Sequence, residues 1–503
     1  MIVSKSVGKA CLLAFTILSL QACDNVSAQG GEPGSPISQS AVKDPAARAF
    51  YQARQWKSAW EESSEQELVR IIEGASAHGL KPSLFLQRER LPAEPNEREQ
   101  LLTGAALKYA AALANGYVDP KKTAEIYTIA RPKVGVAAGL ARAIDAGNLT
   151  EWFDSLAPRT DEYRALAKAF QAAVQTVSAG QSGQIPEGRA ISPGSGDPRL
   201  PAVAAALTAA GYIGKLEAPP SRYSPALSDA VKALQVDNGL EADGVIGKDT
   251  LRVINFNPAG RARQLAVALE RLRWLDRDPA ATRIDVNTAA AFLEYWRDNR
   301  QVDRRRVVVG EPGWETPQLG STLFQLVANP YWRVPDSIYE DELKAKSQAY
   351  YASQNMQMRD GRLVQLPGPK NALGSVKFDL KNKQAIYLHD TPAKALFAEE
   401  ERHRSHGCIR VQDALDFARM VASQEGVLDK FEEGLASGEE TYVKLKSEIP
   451  VRLLYHTAFL DGSRIQYRPD IYGWDDEVAR GLGYERGPIR QKSAHRKGAD
   501  VGP

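Results

Sequence analysis

Tyr387-Leu388-His389-Asp390 and, one loop later, Arg404-Ser405-His406-Gly407-Cys408-Ile409-Arg410-Val411 form the stretch around which the chain is read. Residues 387–411 hold three of the six histidines and the one cysteine beyond residue 23. A single thiol among histidines is a candidate nucleophile. Such a thiol needs a base or cation beside it, donors for an oxyanion, and a backbone that presents the sulfur. Gly407 removes a side chain beside Cys408 and permits a tight turn with close approach of substrate to backbone N–H groups. His389 ends the predicted strand 385–388, and Cys408 follows a loop 19 residues later, so strand end and loop can meet in space. Imidazole titrates near neutrality and can take the thiol proton, then return one to a leaving amine. His403-x-x-His406-x-Cys408 matches no common zinc spacing and lacks a second thiol, so neither a metal nor another cofactor is expected.

The compartment bears on that thiol. Lys5 and Lys9 precede the apolar run Ala10–Leu20, which is short for a membrane span and reads as a signal peptide, residues 1–22. Leu20-Gln21-Ala22-Cys23 resembles a bacterial lipoprotein box, in which Cys23 is lipidated and Asp24 favours retention at the inner membrane. Val26-Ser27-Ala28 is an acceptable ordinary cleavage site and gives a soluble periplasmic alternative. Both readings export the protein to the bacterial periplasm or cell envelope, with membrane attachment only through a lipid on Cys23. Cys408 then has no partner for an intramolecular disulfide, so it is either buried and inert or used.

Composition narrows the classes. The formal charge is +2, and the two lysines of residues 1–22 account for it, leaving 62 basic and 62 acidic residues. A balanced chain gives no electrostatic footprint for nucleic acid. At 503 residues, 43% hydrophobic and 25% charged, it has room for several soluble domains.

Working outward, residues 23–45 are a Gly/Ser/Pro-rich linker, and 46–178 read as a helical scaffold with no catalytic signature. Ser64 with Glu67 suggests a capping box, and Gly79 before Pro82 a helix end. Residues 179–198 read as a second linker. Residues 199–257 form a compact helical unit in which Ser224-Pro225 start a helix and Asp243-Gly244-Val245-Ile246-Gly247 make a turn. The stripe Leu265, Leu269, Leu272 marks a helix returning to the scaffold, 258–278. From 279 to 475 the period becomes strand-like, with runs at 307–309, 321–328, 376–380, 385–388 and 451–460 and a helix after Asp413. The segment 336–374 carries a charged helix, 340–355, and has the length of a lid over a site. Residues 476–503 read as a C-terminal tail.

Together these stretches resemble known families. The 199–257 unit is similar to the three-helix peptidoglycan-binding domain. His389, fifteen residues, then Ser405-His406-Gly407-Cys408-Ile409-Arg410 resembles the signature of the YkuD-type L,D-transpeptidase domain. Asn329-Pro330-Tyr331-Trp332-Arg333-Val334-Pro335, Pro367-Gly368-Pro369-Lys370-Asn371-Ala372-Leu373-Gly374 and Tyr467-Arg468-Pro469-Asp470-Ile471-Tyr472-Gly473 resemble its long YcbB-like branch. The resemblance implies an α+β multidomain protein: a helical scaffold, an inserted peptidoglycan-binding domain, and a mainly β catalytic domain built as a β-sandwich. It implies a Cys408 nucleophile, His389 as proton donor and acceptor, and backbone N–H groups around His406–Cys408 holding an oxyanion. Ser405, His406, Gly407 and Arg410 would shape the site, with Trp332, Tyr387 and Asn371 as substrate-facing groups. Peptidoglycan stem tetrapeptides would be donor and acceptor, and carbapenems inhibitors. Carboxypeptidase or protein-anchoring ligase chemistry at the same site, or a non-catalytic wall-binding lipoprotein, are the alternatives.

Overall fold

The computed structural model describes residues 34–178, 184–256 and 258–485. The expected signal peptide, the expected lipidation site at Cys23 and residues 23–33 of the first linker lie outside the described residues. No helix among the described residues is long and apolar enough to cross a membrane.

The N-terminal part is helical: α1 (Pro45–Ala53), α2 (Glu62–Glu73), α3 (Pro95–Asn115), α4 (Ala137–Ala146), α5 (Leu149–Leu156) and α6 (Asp161–Ser178). The expected capping box is present but shifted by three residues. Glu61 is the N-cap, and the Ser64 hydroxyl accepts from the Glu61 N–H at 3.0 Å. Gly79 ends the following turn with φ 71°, in the left-handed region where glycine is unstrained.

The next helices are α7 (Leu200–Ala209), α8 (Pro225–Asp237), α9 (Lys248–Ile254) and α10 (Pro258–Arg273). Helices α7 to α9 enclose their own small core around Val203, Leu207, Leu227, Val231 and Leu251. Ile185 and Ile191 belong to that core, and Ile191 bridges to Ile246, so residues 184–198 are part of the small domain and not linker. The Asp243–Gly247 turn is organised by Gln235. Its Oε1 accepts from Gly244 N at 2.9 Å, and its Nε2 donates to Asp243 Oδ1 at 2.8 Å and Val245 O at 3.1 Å. The small domain is seated on the rest of the chain by the buried Asp237 carboxylate, which accepts from Arg464 Nε and Gln466 Nε2, each at 3.0 Å.

Helix α10 returns to the scaffold and packs Leu265, Leu269 and Leu272 into its core. The fully buried Glu270 ties this helix to its surroundings. Its carboxylate accepts from Val118 N at 2.6 Å, Trp274 Nε1 at 3.0 Å and Arg273 Nη2 at 2.6 Å. Arg273 in turn donates to Tyr163 Oη and the His78 carbonyl, each at 2.9 Å. Removing one member of a buried ion pair strands the other charge. Glu270→Ala is therefore expected to lower unfolding free energy by about 3–5 kcal/mol, read as an earlier midpoint in denaturant with an unchanged slope.

The C-terminal part contains strands β1 (Arg283–Asn287), β2 (Phe292–Arg297), β3 (Arg300–Gly310), β4 (Leu319–Ala328), β5 (Trp332–Arg333), β6 (Met356–Arg359), β7 (Arg362–Gln365), β8 (Val376–Leu380), β9 (Leu388–His389), β10 (His403–Ser405), β11 (Ile409–Val411), β12 (Thr441–Leu454), β13 (Ala458–Asp461) and β14 (Arg464–Tyr467). The expected sandwich is corrected here: eight strands close into a mixed barrel in the order β3-β11-β9-β8-β4-β12-β1-β2, with β2 pairing back onto β3. The reason is the length of β3. Residues 300–306 pair antiparallel with β2, while Val307 and Val308 pair with β11 and Val309 and Gly310 with the flanking β10. One long strand thus serves both sides of the seam, which removes the sheet edges. The interior is filled by Ile284, Val286, Leu293, Val309, Leu323, Phe378 and Ile409. Among α11 (Asp336–Ile338), α12 (Gln348–Ser353), α13 (Ala414–Gln424), α14 (Leu428–Ser437) and α15 (Trp474–Gly481), helix α13 sets Phe417 against both Tyr295 of β2 and Phe378 of β8.

Residues 330–374 form a subdomain beside the barrel: a three-stranded sheet, β5-β7-β6, over a core of Trp332, Ile338, Leu343, Tyr351 and Leu363. The single helix expected over 340–355 is interrupted. Tyr339–Leu343 form a π-helical turn, and Ser347 caps a new helix, α12, accepting from Tyr350 N at 3.2 Å. The expected tail also begins too early, because α15 buries Val478, Ala479 and Leu482 in the scaffold core.

Candidate active site

The site lies on the outer face of the barrel wall made by β9 and β11. These strands are parallel, with Leu388 opposite Ile409 and His389 opposite Arg410. Leu388 and Ile409 point into the barrel core. Side chains alternate across a strand, so His389 and Arg410 share the outer face, and Tyr387 and Cys408, two residues earlier on each chain, flank them. Tyr387 links the pair. Its ring meets His389 edge-on at 5.6 Å between centroids, and it lies close enough to Cys408 to pull the thiol's pKa down against burial. Cys408 is 6% exposed and His389 0%.

The His389 ring is oriented by a carbonyl: Nδ1 is hydrogen-bonded to the Asp390 backbone oxygen. A carbonyl only accepts, so Nδ1 carries the proton and the neutral ring keeps its lone pair on Nε2. Asp390 is itself held by the Ser375 N–H at 2.9 Å and by Lys394. Gly374 is required beside it, since a Cβ there would lie 2.2 Å from the Asp390 carboxylate.

The Cys408 thiol is neutral at rest. Burial pushes its pKa up to about 11, against the opposing pull of the Tyr387 hydrogen bonds and the cations Lys377 and Arg410. Lys377 stands opposite His389 on β8, with its Nζ 4.4 Å from the centroid of the Tyr387 ring and 2.7 Å from Asp379 Oδ1. This lysine was not singled out from the sequence; its alternation with Val376 and Phe378 in a strand beside His389 was the available signal.

The loop before Cys408 is fixed by two hydroxyls. Ser405 Oγ accepts from Gly407 N at 3.2 Å and donates to Cys408 O at 2.6 Å. Thr316 Oγ1 donates to Gly407 O at 2.9 Å. Gly407 sits at φ 108°, a conformation that side-chain-bearing residues rarely adopt. His406 turns the other way: its Nε2 is 2.6 Å from Glu342 Oε1, and its ring lies 5.1 Å from Trp314. Glu342 belongs to the π-helical turn, so the 330–374 subdomain reaches the Cys408 loop through this contact, and Tyr387 packs against its core. Nothing in local sequence pairs residues 342 and 406.

Two expected substrate-facing groups are not presented to a site. Trp332 is fully enclosed in the subdomain core. Asn371 is also buried, donating from Nδ2 to Pro330 O and Leu366 O, each at 3.0 Å, and accepting at Oδ1 from Leu373 N at 2.8 Å. Both build the subdomain. Tyr387 alone of the three touches the nucleophile. His403 is buried, with Nε2 donating to Thr288 O at 2.9 Å.

A family model described as the YkuD L,D-transpeptidase catalytic domain matches residues 281–441, a scaffold-domain model matches 45–170, and a model described as "putative peptidoglycan binding domain" matches 197–254. A "Putative L,D-transpeptidase" of Haemophilus influenzae is 31% identical over 241 residues, which are 43% of this chain and 49% of that protein. The match thus spans about half the length of this relative. An L,D-transpeptidase structure from Xylanimonas cellulosilytica is 14% identical, covering 53% of this chain and 98% of its own, with a TM-score of 0.20. One from Stackebrandtia nassauensis is 13% identical, covering 56% and 98%, with a TM-score of 0.23. Scores of that size carry no argument about the fold.

Proposed function

We propose, for a chain that carries a YkuD-type L,D-transpeptidase catalytic domain together with a scaffold domain and a peptidoglycan-binding domain, that it is an exported transpeptidase forming 3→3 peptidoglycan cross-links. The observation that carries the reading is the common outer face of β9 and β11, where Tyr387 touches both Cys408 and a His389 whose tautomer leaves Nε2 as acceptor.

The chemistry runs as two acyl transfers. Sγ of Cys408 attacks the carbonyl joining the third stem residue, a diamino acid, to terminal D-alanine, as His389 takes the thiol proton. The C–S bond forms, the C–N bond breaks, and the proton leaves on the D-alanine amine. An amine of a second stem then attacks the thioester, giving up a proton through His389 and regenerating the thiol. A thiol with a pKa near 11 favours proton removal during attack over a standing thiolate. Tyr387, Lys377 and Arg410 stabilise the sulfur's negative charge as it develops. Ser405 and Gly407 hold the loop, and His406 joins it to the subdomain through Glu342. Cys408 and His389 are both buried, and the 330–374 subdomain, which meets the Cys408 loop through Glu342, would move aside to admit the donor. The small helical domain would keep the enzyme on the wall, and carbapenems would acylate Cys408. Attachment through a lipid on Cys23 belongs to the same reading.

The test is incubation of the purified protein with disaccharide-tetrapeptide, followed by mass spectrometry of the muropeptides. A 3→3 dimer with one D-alanine released per cross-link is expected. Tripeptide without dimer would assign a carboxypeptidase, and no D-alanine release at all would sink the enzyme reading in favour of a wall-binding protein.

A further inference from the structure

Thr316 is fully buried at the end of a loop that folds back over the last residue of β3. The loop passes so close to Gly310 that a Cβ there would lie 2.0 Å from the Trp314 carbonyl oxygen and 2.7 Å from Thr316 N. Gly310 is fixed from the other side by Tyr472, whose phenol donates to its carbonyl at 2.6 Å. The Gly310 N–H donates to Thr316 Oγ1 at 2.9 Å. A backbone N–H can only donate, so the single hydroxyl proton of Thr316 is directed to its other partner, Gly407 O, at 2.9 Å.

That partner is the carbonyl of the peptide unit whose N–H belongs to Cys408. In a trans peptide the C=O and N–H point in opposite directions. Holding Gly407 O down against Thr316 therefore aims the Cys408 N–H away from the protein interior beneath the loop. The neighbouring amides are occupied: Gly407 N donates to Ser405 Oγ at 3.2 Å, and Ile409 N donates to Tyr387 O at 3.1 Å. The Cys408 N–H makes no hydrogen bond among the described residues. A buried donor left open beside a nucleophile has the form of an oxyanion donor, which works only if its direction is set before charge develops.

We propose that Thr316 is a positioning residue for acyl transfer: by gripping the Gly407 carbonyl between β3 and the nucleophile loop, it aims the Cys408 N–H at the carbonyl oxygen of the bound acyl donor. This rests on the acyl-transfer reading above. As Sγ bonds to the carbonyl carbon, the C=O electron pair moves to oxygen, and the Cys408 N–H donates to that oxyanion until the C–N bond breaks and the carbonyl reforms. Thr316 touches neither substrate nor sulfur in this scheme; it acts through one peptide plane.

Two reactions of the same sulfur separate this role from folding or thiol activation. Displacement of iodide from iodoacetamide develops no oxyanion, whereas opening of a carbapenem β-lactam does. Both adducts are followed by mass spectrometry of the Cys408 peptide in the full-length protein. Thr316→Val keeps the shape and removes the hydroxyl; Thr316→Ser keeps the hydroxyl. The Val variant is expected to alkylate within about twofold of the parent yet acylate roughly 10 to 100-fold more slowly, short of the about 10²–10³-fold seen when an oxyanion donor is deleted outright. The Ser variant is expected to acylate within about threefold of the parent, since the hydroxyl is what aims the amide. Equal acylation by the Val variant and the parent would overturn the proposal. So would parallel loss of both reactions, which assigns Thr316 a structural role only. A parent protein that alkylates but never acylates would instead refute the acyl-transfer reading, so the two failures are distinguishable.

Discussion

Cys408→Ala is expected to lower D-alanine release and carbapenem adduct formation by at least about 10⁴-fold while leaving the fold in place. The first half follows from chemistry: no other thiol exists beyond residue 23, and no hydroxyl among the described residues holds the same position between Tyr387 and the loop glycine. The second half follows from packing. The Cys408 side chain makes no disulfide, and its sulfur touches the protein through weak contacts, among them donation to Ala385 O at 3.8 Å. The loop is held by backbone groups, through Ser405 and Thr316, which the substitution leaves alone. Loss of one buried sulfur then changes unfolding free energy by about 1 kcal/mol. Muropeptide mass spectrometry beside a denaturant melt reads both quantities on one preparation. A folded variant that still released D-alanine at the parental rate would move the nucleophile elsewhere.

The candidate nucleophile is legible because its signal is local. A lone thiol after Ser-His-Gly, with a histidine at the end of a strand, needs only short-range reasoning, and the structure brings Cys408, Tyr387, His389 and Arg410 to one wall of the barrel. Helices were also legible, since an apolar stripe such as Leu265, Leu269 and Leu272 belongs to one segment. Barrel closure was not. The first seven residues of β3, Arg-Gln-Val-Asp-Arg-Arg-Arg, carry little apolar signal: none of them is buried, and what holds them as strand is pairing with β2. Their strand character is decided by a partner and not by their own alternation. The same holds for the contacts that shape the site: Glu342 meets His406 across 64 residues, and Thr316 meets Gly407 across 91. Trp332 and Asn371 mislead for a related reason. A motif marks residues a fold family needs, and here both are needed inside the subdomain, where a buried indole and a fully bonded amide hold its strands together.

His389→Ala is expected to slow acylation at pH 8 by about 10²–10⁴-fold, and the loss is expected to shrink as pH rises. The sign comes from the thiol. Burial holds Cys408 near a pKa of 11, so below that value the sulfur is predominantly protonated. At pH 8 the standing thiolate is a fraction on the order of 10⁻³, and a variant without a base depends on that fraction alone. Its rate should therefore climb about tenfold per pH unit until it levels off near 11, where the proton is already gone. The parent has Nε2 of His389 as an acceptor for the thiol proton, so its rate should depend far less steeply on pH. The Asp390 carbonyl makes this possible by holding the proton on Nδ1. Carbapenem acylation rates measured across pH 6 to 10 for both proteins give the comparison. Parallel profiles offset by a constant factor would mean that His389 shapes the site without moving the proton, and a parental rate in the variant at pH 8 would remove it from the mechanism.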